Sequence, residues 1–191
     1  MPTSLEKELI KFSLSKSVPL ILQSEVAECG LASLAMVACY HGHQLDMPAI
    51  RKRFSANLKG MNLQQLIELG DSLGLASRAL QCPIDEVHKL TTPCILHWDL
   101  NHFVVLTKVS GKGSHTSKGA KFFINDPAVG KRTLNTEEFS QHFTGICLEL
   151  SPTSKFEVKQ EQARMKFSQL WSKISGLKAG LLKLVGLSLV L

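Results

Sequence analysis

Residues 20–40, LILQSEVAECGLASLAMVACY, decide how the rest of this 191-residue chain is read. An irregular stretch gives way at Cys29 to the proline-free run CGLASLAMVACY (29–40), whose small and apolar residues suit a closely packed helix. A thiol at a helix start feels the N–H groups left unpaired there and the positive end of the helix dipole, which favour thiolate over thiol. Gln23, six residues upstream, is placed to fold back so that its side-chain amide joins the Cys29 backbone N–H around a developing oxyanion. The two residues read as a nucleophile and its oxyanion donor, and that reading requires a base elsewhere.

Downstream of this run the pattern stays helical for a while. HGHQ (41–44) breaks it, Asp46 is a plausible N-cap, and MPAIRKRF carries proline in the first turn of a short helix. In MNLQQLIELGDSLG (61–74), Leu63, Leu66, Ile67 and Leu73 recur at helical spacing and Gly74 is a natural stop. After Gly74 the period changes. LASRALQC alternates, PIDEVHKL reads as a brief helix, and PCILHW, HFVVLTKVS and AKFFIND read as strands. GKGSHTSKG (111–119) has the composition of an exposed hairpin loop. TLNTEEFSQHF is a short helical crossover capped by Thr136 or Asn135, and GICLEL closes as a strand. Helices first and an antiparallel sheet second make an α+β layout.

The strands supply the missing base. His102 opens HFVVLTKV and Asp126 ends KFFIND, so adjacent antiparallel strands joined by the 110–119 loop bring the two together. Imidazole would take the thiol proton and later protonate a leaving amine, while Asp126 would fix the ring in one tautomer. Taken singly, each residue has a plainer meaning: a buried thiol, a structural histidine, a turn-forming aspartate before Pro127. Cys39, His41 and His43 lie close together, yet a zinc site wants four ligands and no closing pair follows, so no metal is expected. His97 sits ahead of Trp98 and Asp99, in what reads as the turn between strands.

Composition narrows the class. The five cysteines form no CxxC and no regular framework, so a disulfide-stapled secreted domain is excluded in favour of a reducing compartment. The N-terminus carries charges of both signs without an apolar core, which argues against a secretory signal. Of the formal charge of +6, much falls late: Lys155, Lys159, Arg164, Lys166, Lys173, Lys178 and Lys183 face only Glu157 and Glu161. No RNP-like motif, zinc finger or phosphate loop supports a nucleic-acid partner. The basic stretch reads instead as membrane-adjacent. Residues 1–18 read as a polar lead-in, 153–183 as a basic amphipathic linker helix and 184–191 as the start of a first transmembrane segment. A C-terminal helix docked on the domain is the plainer account of that tail.

Three segments together, QSEVAECGLASLAMV, LNHFVVL and INDPAVG, resemble the peptidase C39 family over residues 19–152. The resemblance implies a papain-like cysteine protease fold at the cytoplasmic N-terminus of an ABC exporter of bacteriocins and related peptides. It assigns Cys29 as nucleophile, Gln23 as oxyanion-hole glutamine, His102 as general base and Asp126 as its orienting carboxylate. It implies cleavage of a precursor peptide after a double-glycine leader, on the cytoplasmic face of the bacterial inner membrane. Transmembrane and ATPase domains of the same chain would follow, the full-length protein working as a homodimer. No cofactor is expected for this domain; ATP and Mg belong to the nucleotide-binding domain beyond it. Where the family often has aspartate before the cysteine, this chain has Glu28, which keeps the charge on a longer arm. Two rivals share parts of the pattern: a catalytically silent docking module that presents a secretion substrate, and a free-standing thiol hydrolase of transglutaminase-like or amidase type.

Overall fold

The computed structural model describes residues 17–54, 60–111 and 119–161. A short 3-10 turn, Val26–Glu28, leads directly into helix α1, Cys29–His41. Every α1 residue from Cys29 to Cys39 is buried, as expected of a helix with no charged residue on any face. Gly42 ends it in the left-handed region at φ 112°. There follow β1 (Gln44–Leu45), α2 (Met47–Arg53) and α3 (Leu63–Ser72). Asp46 caps α2 by accepting from Ala49 N at 2.9 Å, as the sequence indicates. Asn62 caps α3 through a reciprocal capping box with Gln65.

The second half is a six-stranded antiparallel sheet in the order β2-β7-β3-β4-β5-β6. Its members are β2 (Leu75–Gln81), β3 (Cys94–Trp98), β4 (His102–Ser110), β5 (Lys121–Asp126), β6 (Gly130–Leu134) and β7 (Phe143–Pro152). Between β6 and β7 lies α4, Thr136–His142, capped by Asn135 rather than Thr136: Glu138 N donates to Asn135 Oδ1 at 2.9 Å. PIDEVHKL forms a 3-10 helix, Ile84–Lys89.

Two cores face each other across the sheet. On one side Leu31, Leu34, Ala35 and Val37 of α1 pack with Ile95, Phe103, Val105 and Leu148. On the other, Phe139 of α4 stacks on Phe122 with centroids 4.1 Å apart, beside Trp98, Leu106, Ile124 and Cys147. The α1 side positions the site. Ser33, one turn after Cys29, donates from Oγ to the Phe103 carbonyl at 3.3 Å, fixing the start of α1 against the start of β4.

Three expectations change. His97 lies within β3, not in a turn; its Nδ1 is 2.8 Å from Thr144 Oγ1 and its ring lies over Phe103, so the turn is confined to residues 99–101. The expected linker helix from residue 153 is not helical in its described part, 153–161. Thr153 donates to the Gly74 carbonyl through both N (2.9 Å) and Oγ1 (2.7 Å), and β8 (Gln160–Glu161) pairs parallel to β1. Its polar backbone groups are thus taken by earlier parts of the chain. Val18, assigned to the polar lead-in, is buried in the core. The rest of the lead-in, the 112–118 part of the hairpin loop and the tail from residue 162, with its expected transmembrane start, lie outside the described residues. Among the described residues, no helix is long and apolar enough to cross a membrane, and no group of three metal-ligating side chains stands together.

Candidate active site

Cys29 is the first residue of α1, His102 the first of β4 and Asp126 the last of β5. β4 and β5 pair with Val105 opposite Asn125, which brings the beginning of one strand beside the end of the other. His102 Nε2 donates to Asp126 Oδ1 at 2.9 Å. The Cys29 thiol meets the same ring and favours its protonated form. The fold brings the side chains of Cys29, His102 and Asp126 together.

The electrostatics follow from these contacts. Burial works against a charge on His102, but the Asp126 carboxylate and then the Cys29 thiol outweigh it and raise the imidazole from 6.5 to about 9. Burial likewise disfavours the Asp126 carboxylate. The hydrogen bonds from His102, Ala128 N (2.8 Å) and Val129 N prevail and hold the carboxyl below its ordinary value. Arg132 Nη1, 3.9 Å from Asp126 Oδ2, adds a cation on the far side. Cys29 and the other four thiols are all buried. Desolvation is the first cause that pushes Cys39, Cys82, Cys94 and Cys147 up, Cys147 to about 12.

Gln23 lies on the loop before the 3-10 turn. Its backbone N–H donates to the Pro127 carbonyl at 2.9 Å, next to Asp126, so the loop of the glutamine is tied to the turn that carries the aspartate. Asn125 adds two more ties, donating from Nδ2 to the carbonyls of Val18 and Pro19 at 3.3 Å each. Gln23 Oε1 is buried without a hydrogen-bond partner among the described residues. Glu28, noted in the sequence only as a lengthened arm, is 2% exposed and is the hub of the loop. It pairs with Arg51 of α2 through both carboxylate oxygens and accepts from the backbone N–H of Ser24 and Glu25 at 3.0 and 3.1 Å. Its charge state reflects this: Arg51 first, against burial, holds the carboxyl near 2. Nothing in the sequence signals Arg51, because the pairing spans 23 positions and two elements.

The surroundings are apolar and open. Leu22, Val26, Leu100 and Val129 are 54%, 89%, 81% and 72% exposed, and each lies within three residues of Gln23, Cys29, His102 or Asp126. Leu100 and Asp99 adopt left-handed φ values of 63° and 48° in the turn just before His102. Asp99 is held there by His142 of α4, whose carbonyl accepts from Asp99 N at 3.0 Å and whose Nδ1 meets Asp99 Oδ1 at 2.7 Å.

The peptidase C39 family model matches residues 17–155. The chain belongs to the peptidase C39 family. MchF of Escherichia coli, a probable microcin-H47 secretion/processing ATP-binding protein, is 41% identical over 92% of this chain and 24% of its own length. CvaB, the colicin V secretion/processing ATP-binding protein of Escherichia coli, is 39% identical over 96% of this chain and 25% of its own. The chain thus spans about a quarter of the length of these relatives. Among solved structures, a double glycine motif protease from an AMS/PCAT transporter in complex with a leader peptide superposes with a TM-score of 0.63 at 37% identity. That match covers 72% of this chain and 94% of the other. The α+β layout of this C39 member is the papain-like one of the family's solved peptidase domains.

Proposed function

We propose that this C39 domain is a cysteine endopeptidase that removes the leader of a precursor peptide after a double-glycine motif, as part of a peptide-exporting ABC transporter. The observation that carries the reading is the contact of His102 with both Cys29 and Asp126. His102 takes the thiol proton, and the Cys29 sulfur attacks the carbonyl carbon of the scissile bond. The Cys29 N–H and the Gln23 amide hold the oxyanion. Imidazolium then protonates the departing amine as the C–N bond breaks, releasing the new N-terminus of the cargo. Water, deprotonated by His102, attacks the thioester and frees the leader. These steps use protein groups alone; ATP and Mg would serve the transporter's nucleotide-binding domain.

The substrate class draws on the printed functions of MchF and CvaB and on the leader-bound protease. The exposed Leu22, Val26, Leu100 and Val129 beside the site suit an apolar segment of a leader. In a transporter context the domain would lie on the cytoplasmic face of the inner membrane, joined to the transmembrane and ATPase domains of a homodimer. The test is incubation with a synthetic double-glycine precursor, with both products weighed by mass spectrometry. Cleavage after the second glycine that is lost in Cys29→Ala and His102→Ala supports the proposal. Binding without cleavage by the unsubstituted chain refutes it and leaves a docking module.

A further inference from the structure

Among the described residues the side chain of Gln23 makes no hydrogen bond through its oxygen, so its aim depends on its backbone. That backbone has one fastening on the sheet side, Gln23 N to the Pro127 carbonyl. Toward Cys29 the loop runs through Ser24, Glu25 and Val26, all exposed to solvent. There Glu28 N donates to the Glu25 carbonyl at 3.1 Å, and the Glu28 carboxylate reaches further back. Glu28 Oε2 gathers the N–H groups of Ser24 and Glu25, while both its oxygens are gripped by the Arg51 guanidinium.

We infer that Glu28 and Arg51 are positioning residues that hold the Gln23 amide on the developing oxyanion. The inference rests on the peptidase reaction proposed above. Glu28 is covalently next to the nucleophile, so a carboxylate folded back on residues 24 and 25 ties the oxyanion loop to Cys29 itself. Arg51 anchors that tie to α2, a rigid element outside the loop. Only an acceptor with two ionised oxygens can serve both sides at once. A glutamine would turn its amide N–H groups either on the guanidinium or on the backbone N–H groups, donor against donor. Arg51 also neutralises a charge that would otherwise be buried without a counter-ion.

The reaction depends on this aim because an oxyanion donor acts only within hydrogen-bonding distance of the transition-state oxygen; losing one costs roughly 100-fold in kcat or more. Partial misplacement of a donor that is still present costs less than its loss. Glu28→Gln is therefore expected to lower kcat about tenfold with KM changed less than about twofold, the signature of an interaction made in the transition state. Affinity for a leader peptide ending in glycinal should fall by the same factor, since its thiohemiacetal oxygen uses the same donors.

The deciding comparison adds Glu28→Gln to Gln23→Ala. If Glu28 acts through Gln23, the second substitution changes kcat by less than about twofold in that background. An equal loss in both backgrounds, or a change confined to KM, overturns the inference. Arg51→Lys, on a partly exposed side chain, repeats the measurement should Glu28→Gln not fold; it keeps the charge and loses the two-pronged grip, and full wild-type kcat there is equally overturning. Absence of cleavage by the unsubstituted chain would instead defeat the peptidase reading and the inference with it. Normal cleavage with unaltered variants defeats the inference alone.

Discussion

Replacing Asp126 by asparagine separates the charge of the carboxylate from its geometry. Asp126 Oδ1 accepts from both His102 Nε2 and Ala128 N, and an asparagine oxygen in the same place can accept from both. The ring therefore keeps its hydrogen bond and loses the ion that favours its protonated form, while the asparagine amide takes the place of Oδ2 beside Arg132. Burial lowers the His102 pKa, and Asp126 then Cys29 raise it, with a net rise from 6.5 to about 9. That rise corresponds to about 3 kcal/mol at 1.36 kcal/mol per pH unit. A neighbouring carboxylate accounts for roughly one to three units, so Asp126→Asn should bring His102 down by about that much. The thiolate–imidazolium pair is lost as pH rises through the His102 value. The unsubstituted domain should then show a basic limb of kcat/KM near 9, and the variant a limb displaced downward with an optimum at lower pH. The raised value also makes the His102 proton stabilising. Its contribution is complete below about pH 6.5 and disappears as pH climbs through 9, so the stability advantage over the variant should shrink across that window. A quenched fluorogenic leader peptide assayed from acid to alkaline pH, with urea midpoints alongside, measures both. A basic limb that stays put in Asp126→Asn would refute the assignment of the Asp126 charge as what holds the proton on His102.

Four further outcomes follow from other contacts. Glu28, whose carboxyl is lowered from 4.5 to about 2, lends stability that is complete above pH 4.5 and is lost as pH falls through 2. The gap in urea stability between the unsubstituted chain and Glu28→Gln, at most about 3 kcal/mol and reduced by the partial exposure of Arg51, should close over that range. Gly74→Ala puts a Cβ 2.8 Å from the backbone of Lys155 and Phe156 at a φ of 79°; a loss of about 3 kcal/mol or more in a denaturant titration is expected. Leu100→Gly relieves a left-handed leucine, so the melting temperature should rise, by an amount corresponding to about 1 kcal/mol, while KM for the leader peptide increases as an exposed apolar contact is lost. Brief alkylation of the native domain near neutral pH should give one adduct by mass spectrometry, absent from Cys29→Ala, because His102 is there to take the Cys29 proton while desolvation pushes Cys39, Cys82, Cys94 and Cys147 up.

The features that could be read ahead of the structure are those that neighbouring residues determine. The run from Cys29 to Cys39 has no charge to expose, so its burial on all sides follows from composition. Asp46 and Asn135 cap helices because the N–H groups they satisfy lie three residues on. His102 and Asp126 could be paired because an antiparallel hairpin makes strand ends neighbours. The misplacements arose where a distant partner decides. His97 takes its strand position from the pairing with Phe103 and its side-chain contact from Thr144, 47 residues away. The stretch after Thr153 reads as an amphipathic helix by its own residues, yet Gly74 and β1 claim its backbone first.

Glu28 joins both situations in one side chain. Its contacts to Ser24 and Glu25 are as local as a helix cap, and a carboxylate in that place could have been assigned such a role from spacing alone. Its grip on Arg51 is not local, and it is the Arg51 contact, the largest influence on its lowered pKa, that keeps the carboxylate charged while buried. Without Arg51 the same local turn would bury an unbalanced charge, and the loop would sooner open to water than keep it. The shape of the Gln23 loop is therefore conditional on a helix that follows Cys29 in the chain, and a shorter side chain at position 28 must either draw that helix closer or release one side of the tie.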